Sequence, residues 1–359
     1  PALLAAAIAS AGIDGDCPAE VWVSPRRIAI LASVPAEVPP VTKRHRGPAA
    51  DAAFDADGAP TRAAQGFARG KGVAVEDLLV EEDGGRRFVW AVEHQAGRSI
   101  DELVPGIAER VVAGIRFSKN MRWGEGTGLR FSRPVRWIVA KVDDRTVPFA
   151  LHGLTAGDVS RGHRFLGGPV TIAAAGDYLR ALEGVAVLAD HTVREQRIRR
   201  DLDAAASAAG GTWTDPGAKL REVVFLVEAP SVITGRIADE QMRLPARVLV
   251  TAMQGHQRYF PLHDDAGRLM PAFLAVSNGD PAHAATITRG NEGVLSARLQ
   301  DAIFSFDKDR EAGLEALGGR LDTIVFHKDL GTMADRRTRL VDGVAVLAAA
   351  VGAGEETAA

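Results

Sequence analysis

Between Glu228 and Phe304, polar and charged side chains recur at close intervals within segments that are otherwise apolar enough to form a core. Buried polar groups in proteins almost always have hydrogen-bond or ion-pair partners, so this stretch strongly constrains the fold. We expect its cationic and amide side chains to be half-buried and paired, for instance arginine with glutamate. They are as well suited to fix a subunit or domain interface as to bind a ligand. The members of this polar cluster are His256, Arg258, Arg289, Asn291 and Glu292.

Helix signals occur at several places along the chain. Ser99 and Glu102 have the spacing of a capping box, and apolar residues follow them at helical intervals. Thr192 and Glu195 repeat that spacing ahead of a second helix. We expect three arginines on the solvent side of that second helix, namely Arg194, Arg197 and Arg200. A last helix is predicted to form one apolar face from Leu340, Val344 and Leu347.

Strand and loop signals alternate with these helices. Residues 20–34 have the pattern of a strand that is interrupted by a proline within Ser24–Arg27. Residues 34–47 are Pro-rich and then basic, which predicts a loop. Residues 258–263 and 268–277 are predicted to form a pair of strands. Together these patterns predict a mixed α/β (α+β) fold.

The length of 359 residues is enough for two or three domains. A Gly-rich, polar stretch at 153–168 marks a predicted boundary. We therefore divide the chain into an N-terminal α+β domain at 1–155, a second α+β domain at 156–320 and the start of a helical domain at 321–359.

Composition excludes several kinds of protein. No run of about 18 apolar residues is present, so no membrane-spanning helix is expected. Cys17 is the single cysteine, which rules out an internal disulfide and a zinc site built from several thiolates. These features favour a reducing, cytoplasmic location.

No catalytic residue set can be assigned from the sequence. Residues 66–72 resemble a phosphate-binding loop, but three residues separate the glycines and a glycine follows the lysine, so a helix C-cap is the better interpretation. Residues 124–128 are Gly-rich without a clear preceding strand and predict a flexible loop. The histidines lack metal-binding spacing, so no metal site is predicted.

Positive charge is concentrated between Arg116 and Arg136, although the net charge of the chain is −3. This basic segment holds six cations and one acid, Glu125. Aromatic residues lie within and beside it, namely Phe117, Trp123, Phe131 and Trp137. Guanidinium groups pair with phosphates and flat rings stack on unpaired bases, so this composition suits RNA. Equally, the rings could be core and the arginines a solvated face or internal ion pairs.

Two further basic groups, at 43–48 and 161–164, support an interaction with RNA. Electrostatic screening acts over about 8–10 Å, so local basic patches can hold a polyanion on an acidic protein. By their charge and expected loop position we predict ten RNA-contacting residues, namely Arg26, Arg27, Lys43, Arg44, Arg46, Arg122, Arg133, Arg136, Arg161 and Arg164.

Several short motifs are distinctive in combination. In chain order they are Ser24–Arg27, Ala63–Arg69, Met121–Gly124, Arg130–Trp137, Gly162–Phe165, Glu228–Gly235, Met253–Pro261, Ser277–Gly279, Arg289–Glu292 and Val325–His327. Their order and spacing resemble the β subunit of the bacterial two-subunit glycyl-tRNA synthetase over nearly the whole chain.

This resemblance implies a cytoplasmic glycine–tRNA ligase with an α2β2 assembly. It implies a partner α subunit that holds the class II site for glycine, ATP and Mg, and a β subunit that binds tRNA(Gly), so no cofactor is expected on this chain. It also implies modules similar to the tRNA-core-binding modules of phenylalanyl-tRNA synthetase, followed by a helical HD-like domain.

The chain departs from the family pattern at both ends. We expect it to lack the family's first strand and its C-terminal anticodon-binding part, and so to be an N-terminal fragment. The mechanism we expect is positional, because holding the tRNA body brings its 3′ end to the adenylate on the partner.

Two alternatives come from other functional classes. A hydrolase, either deacylase-like or a degenerate HD phosphohydrolase, would need carboxylates and histidines around a cleft or a bound metal. A non-catalytic structural interaction module would not bind tRNA.

Overall fold

The computed structural model describes residues 1–55, 57–123 and 128–353. Within these residues the chain has ten α-helices and nine small sheets, which confirms the prediction of a mixed α/β fold. Two compact units are present, Pro1–His191 (unit 1) and Thr192–Ala359 (unit 2). The division into 1–155, 156–320 and 321–359 differs from these units, but it concerns family modules and stays a prediction.

Unit 1 contains five helices and fifteen short strands. Its helices are α1 (Ala2–Ser10), α2 (Ala50–Ala53), α3 (Arg62–Lys71), α4 (Ile100–Gly114) and α5 (Tyr178–Glu183). Its first nine strands are β1 (Ala19–Ser24), β2 (Arg27–Ala32), β3 (Glu37–Val38), β4 (Val41–Ala49), β5 (Leu79–Asp83), β6 (Arg86–Gln95), β7 (Arg98–Ser99), β8 (Met121–Arg122) and β9 (Arg130–Phe131). The others are β10 (Lys141–Val142), β11 (Arg145–Thr146), β12 (Ala150–Leu151), β13 (Leu154–Thr155), β14 (Val159–Arg161) and β15 (Pro169–Thr171).

Local signals in unit 1 account for its helix ends. Ser99 and Glu102 form the predicted capping box at the start of α4. Helix α3 is capped by Thr61 and ends at Gly72, whose φ of 68° places it in the left-handed region. The C-cap interpretation of residues 66–72 is therefore confirmed. The predicted loop at 124–128 lies, except for Gly128, outside the described residues.

The basic stretch at 34–47 is mostly strand, so the loop prediction was wrong there. Strand β4 pairs with β6 in a three-stranded sheet of order β4-β6-β5. The stretch lacks the alternating apolar residues typical of a strand, because its arginine side chains pack on aromatic rings that belong to the neighbouring strand β6. The guanidinium of Arg44 lies over the ring of Trp90, and that of Arg46 lies over Phe88.

Unit 2 contains the other five helices and six strands. Its helices are α6 (His191–Ala208, beginning at the last residue of unit 1), α7 (Lys219–Val224), α8 (Ala246–Ala252), α9 (Ala284–Gly318, with a non-helical residue at Gly313) and α10 (Met333–Ala350). Its strands are β16 (Thr212–Trp213), β17 (Ser231–Arg236), β18 (Phe260–His263), β19 (Leu269–Ser277), β20 (Val325–His327) and β21 (Gly331–Thr332).

A four-stranded antiparallel sheet of order β16-β18-β19-β17 forms the centre of unit 2. Successive residues of β19 point to opposite faces, as in any strand. Leu274 packs with Ile198 of α6, whereas Phe273 packs with Leu249 of α8 and Leu295 of α9. The sheet is covered on both faces, and the predicted pairing of β18 with β19 is confirmed.

Helix α6 corrects two predictions. It begins at His191, so Thr192 lies inside the helix and does not cap it. Arg194 was expected on the solvent side but is 0% exposed, and its Nε donates to Val224 O at 2.7 Å. Val224 ends α7, and the last carbonyls of a helix need partners from outside it. Arg194 supplies one of them, which explains its burial.

The predicted last helix is present as α10. Its apolar residues Leu340, Val344 and Leu347 are exposed rather than buried. Within the described residues, no helix combines the length and the hydrophobicity that a membrane span requires.

Candidate nucleic-acid interface

Three of the ten predicted RNA-contacting residues converge on one indole ring. The guanidinium carbons of Arg26, Arg27 and Arg161 lie 5.7, 5.8 and 5.9 Å from the ring centroid of Trp137. Such distances allow cation–π attraction. Arg161 is exposed, whereas Arg27 is only 8% exposed. We call these four residues the Trp137 site.

Arg26 and Arg27 also have a structural role at this site. Arg26 Nη1 donates to Gly162 O and Arg27 Nη1 donates to Arg161 O, each at 2.9 Å. They therefore join the β1–β2 turn to the end of β14, across more than 130 residues of sequence. Of this group, Arg161 is the residue whose charge is most available to a phosphate.

The basic segment at 116–136 separates its aromatic residues from its cations. Phe117 packs edge-on against Phe131 with ring centroids 4.6 Å apart, and Trp123 Nε1 donates to Phe131 O at 2.9 Å. These rings are used in local packing around β8 and β9. The six cations of the segment are exposed, and none of them forms an ion pair with a carboxylate in the described part of the chain. They are Arg116, Lys119, Arg122, Arg130, Arg133 and Arg136. Glu125, the segment's acid, lies outside the described residues.

The basic residues of β4 have a different environment. Arg44 pairs with Glu81, and Arg46 Nη1 lies 2.8 Å from Asp83 Oδ2. Both carboxylates belong to β5, so each arginine reaches across β6 to its partner. Lys43 is exposed and lies opposite Glu93 in the β4–β6 register. A phosphate would have to compete with these carboxylates.

The predicted RNA contacts therefore fall into separate environments within unit 1. The Trp137 site and β4 account for six of them, and the remaining four are exposed outside both, namely Arg122, Arg133, Arg136 and Arg164. The expected loop position was wrong for six of the ten, which lie in strands, namely Arg27, Lys43, Arg44, Arg46, Arg122 and Arg161. RNA contact by any of the ten stays a prediction.

Three members of the polar cluster of unit 2, Arg258, Asn291 and Glu292, are half-buried and paired as the sequence indicated, whereas Arg289 and His256 are exposed, so the expected burial was wrong for those two. Tyr259 Oη donates to Asn291 Oδ1 at 2.6 Å, and Asn291 Nδ2 donates to Ile287 O at 2.7 Å. Glu292 Oε1 accepts a hydrogen bond from the Arg236 backbone N–H at 2.8 Å. Arg289 bonds Thr286 within α9. The bonds of Arg236 and Tyr259 connect α9 with β17 and with the residue that precedes β18.

Arg258 pairs with a glutamate from outside the cluster. Its Nε lies 2.7 Å from Glu222 Oε2, on α7. Its φ of 60° is unusual for a residue other than glycine and follows a π-helical turn at Met253–Gln257. The exposed His256 lies in that turn and lines a cavity of about 580 Å³ beside α8 and α9.

The buried Gln254 donates at 3.3 Å to the half-buried Asp215, a contact that the sequence did not indicate. Gln254 Oε1 accepts from the Gly217 N–H at 2.6 Å, and Asp215 accepts from the backbone N–H groups of Lys219 and Leu220. Asp215 lies four residues ahead of the first residue of α7, whose N-cap position is Ala218, so it does not have the spacing of a capping residue. The partner Gln254 lies 39 residues away and gave no local signal.

Tyr259 should resist ionisation. It is buried and stacks on Phe273 with ring centroids 4.5 Å apart. Burial raises the pKa of Tyr259 to about 12, because a phenolate is poorly solvated there. Because the pKa of Tyr259 is higher in the folded chain than in the unfolded chain, its contribution to stability is fully present below pH ~10. This contribution is lost as pH rises from ~10 through 12, where the unfolded chain ionises first.

We expect the Tyr178→Phe variant, whose sole tyrosine is Tyr259, to develop phenolate absorbance near pH 12 when folded and near pH ~10 in urea. Tyr259→Phe should lose less stability between those two pH values. Ionisation of the folded chain near pH ~10 would contradict the burial argument.

No group of three or more His, Cys, Asp or Glu side chains is placed to hold a metal ion among residues 1–55, 57–123 and 128–353. The exposed cations of the candidate interface suit recognition of a polyanion.

Comparison with known proteins agrees with the motif pattern. A family model described as the glycyl-tRNA synthetase beta subunit matches residues 3–359. Curated glycine–tRNA ligase beta subunits are similar over most of the chain. That of Desulfitobacterium hafniense is 40% identical over 322 residues, which are 89% of this chain and 46% of the relative. Those of Desulforudis audaxviator and Bacillus subtilis are 41% and 40% identical over 92% and 94% of this chain, and over 48% and 50% of their own lengths. The chain spans about half the length of these relatives.

Proposed function

Because the chain belongs to the glycyl-tRNA synthetase beta subunit family, we propose that it binds tRNA for a glycine–tRNA ligase whose adenylation site lies on a partner α subunit. The partner would supply the site for glycine, ATP and Mg, in a cytoplasmic α2β2 assembly. The chain itself would contribute binding and orientation. By family resemblance, its N-terminal modules would correspond to tRNA-core-binding modules of phenylalanyl-tRNA synthetase, and residues 321–359 would begin an HD-like helical domain.

One observation carries this proposal. Six exposed cations of the basic segment and the exposed Arg161 and Arg164 have no carboxylate ion pair in the described part of the chain. Exposed cations attract a polyanion most effectively when no internal acid neutralises them, and phosphate contacts supply most of the sequence-independent affinity for nucleic acid. Arg44 and Arg46 of the same unit differ in this respect, because each forms an ion pair with a carboxylate.

The contribution of such a surface to catalysis would be positional. Fixing the tRNA body converts the encounter of its 3′ end with the adenylate into an effectively intramolecular step. No proton transfer or bond cleavage is assigned to this chain, whose proposed contribution is to bind and orient the tRNA.

Glycylation of tRNA(Gly) by purified α subunit, measured with and without the chain, tests the proposal. We expect added chain to raise the rate of glycylation, with the gain saturating as tRNA binding saturates. Glycyl-adenylate formation by the chain alone would contradict the assignment of adenylation to the partner. Failure of the chain to bind tRNA would contradict the proposed role itself.

Replacing two exposed arginines should weaken tRNA binding without destabilising the fold. Arg122→Ala with Arg133→Ala removes two cations whose side chains make no ion pair in the described residues, and Arg133 bonds only the neighbouring Ser132 O. We expect a roughly tenfold loss of affinity at about 150 mM salt and an unchanged Tm.

The matched control for this pair is Arg197→Ala with Arg199→Ala. These residues of α6 carry the same charge but form ion pairs with Asp201 and Glu195. We expect tRNA affinity close to that of the unmodified chain. Equal losses in both double variants would show that net charge, rather than the basic segment, governs binding. A lowered Tm in the Arg122/Arg133 variant would make those arginines structural.

A further inference from the structure

One aromatic side chain near the Trp137 site in sequence is exposed to solvent. Phe165 is 79% exposed, and its ring centroid lies 6.3 Å from that of His163 at a tilted angle. Single exposed apolar residues are common in proteins, so exposure alone assigns no role. What distinguishes Phe165 is the backbone that carries it and the exposed arginines that precede it.

The loop that carries Phe165, Gly162–Gly168, is tightly held. Gly162 N–H donates to Gly168 O at 2.7 Å, and Gly167 N–H donates to His163 O at 3.1 Å. The buried His163 accepts at Nδ1 from the Leu166 and Phe165 N–H groups at 3.3 and 3.4 Å. The ring is therefore presented by a fixed loop, and little conformational entropy is lost when something binds to it.

The charged side chains nearest to the ring along the chain are two arginines that precede it. Arg164 precedes Phe165 directly, Arg161 ends β14, and both are exposed without a carboxylate ion pair in the described residues. Arg26, half-buried, donates to the Gly162 carbonyl at the base of the loop. An exposed ring that directly follows an exposed arginine matches a nucleotide, in which a flat base is joined to a phosphate.

We propose that Phe165 stacks on an unpaired base of the bound RNA while Arg164 and Arg161 contact the adjacent phosphates. This inference rests on the proposed function and adds to it the kind of nucleotide that the 162–168 loop recognises. Duplex RNA buries the faces of its bases by stacking them on one another, so the loop would favour unpaired nucleotides over duplex.

The test compares three substitutions at Phe165 in the full chain, with tRNA(Gly), a single-stranded RNA and a fully paired RNA as probes. Phe165→Ala should weaken tRNA and single-strand binding about 5- to 100-fold, whereas Phe165→Trp should retain affinity. Phe165→Leu keeps an apolar side chain without a π face and should behave like alanine. Duplex binding should change little in all three variants.

Salt dependence separates stacking from charge. Phe165→Ala should leave the slope of log affinity against log salt unchanged, whereas Arg164→Ala should reduce its magnitude by about 0.7–0.9. Full retention of affinity by Phe165→Leu, or an equal loss on duplex RNA, would overturn the stacking assignment. If Phe165→Ala binds tRNA normally while the Arg122/Arg133 variant binds weakly, this inference fails and the proposed function stands. If the unmodified chain binds no tRNA, both fail.

Discussion

The Arg194→Met variant is expected to be about 3 kcal/mol less stable than the unmodified chain. The side chain is fully buried and donates to Val224 O, the carbonyl at the end of α7. Methionine has similar length but offers no donor, so the buried carbonyl would lose its partner. Removing one member of a buried polar contact is among the most destabilising single changes.

Chemical denaturation followed by the fluorescence of Trp213, the single tryptophan of unit 2, would measure this loss. Arg197→Met is the matched control on the same helix, because Arg197 is exposed and forms an i,i+4 ion pair with Asp201. We expect the control to stay within about 0.5 kcal/mol of the unmodified chain. Equal stability of the two variants would remove the structural role assigned to Arg194.

Gly167→Ala is expected to destabilise unit 1 by about 3 kcal/mol and to weaken tRNA binding as well. A Cβ at position 167 would lie 2.2 Å from the backbone oxygen of Val185, a contact that no rotamer change can relieve. The 162–168 loop would have to shift, and Phe165 and Arg164 would move with it.

The adjacent glycine provides the control for this substitution. A Cβ at Gly168 would meet nothing within 4 Å, and its φ lies outside the left-handed region, so Gly168→Ala should be tolerated. Melting temperature and tRNA affinity should both fall for Gly167→Ala, and both should remain unchanged for Gly168→Ala. A Gly167→Ala chain with normal stability would show that the loop is not held as described.

Sequence reasoning succeeded where a structural signal is local. The capping box of Ser99 and Glu102 and the helix C-cap within residues 66–72 depend on contacts within a few residues. The strand pair β18–β19 was found because two apolar runs flank a short turn. These features depend on local backbone chemistry, which neighbouring residues determine.

It failed where the deciding partner is distant in sequence. Arg194 was assigned to solvent because its partner at Val224 is 30 residues away. Residues 43–46 were assigned to a loop because the rings under the arginines lie on β6 and the carboxylates on β5. A helical or strand pattern contains no information about such contacts.

The candidate interface shows both situations. The concentration of cations at 116–136 is visible in the sequence, and so is the presence of Arg26 and Arg161. Their convergence on Trp137 required the structure, because Arg26 and Arg161 lie far from Trp137 and from each other in sequence. The structure also distinguishes the rings that pack internally, such as Phe117, from Phe165, which is exposed.

Salt dependence of tRNA(Gly) binding by the chain tests the central claim most directly, because the claim is that exposed, unneutralised arginines of unit 1 bind phosphates. At least four such contacts predict a slope of about −3 or steeper, so affinity should fall about 50-fold or more between roughly 50 and 200 mM salt. The Arg122/Arg133 variant should show a shallower slope. Binding that is unaffected by salt, or no binding at about 50 mM salt, would contradict the account.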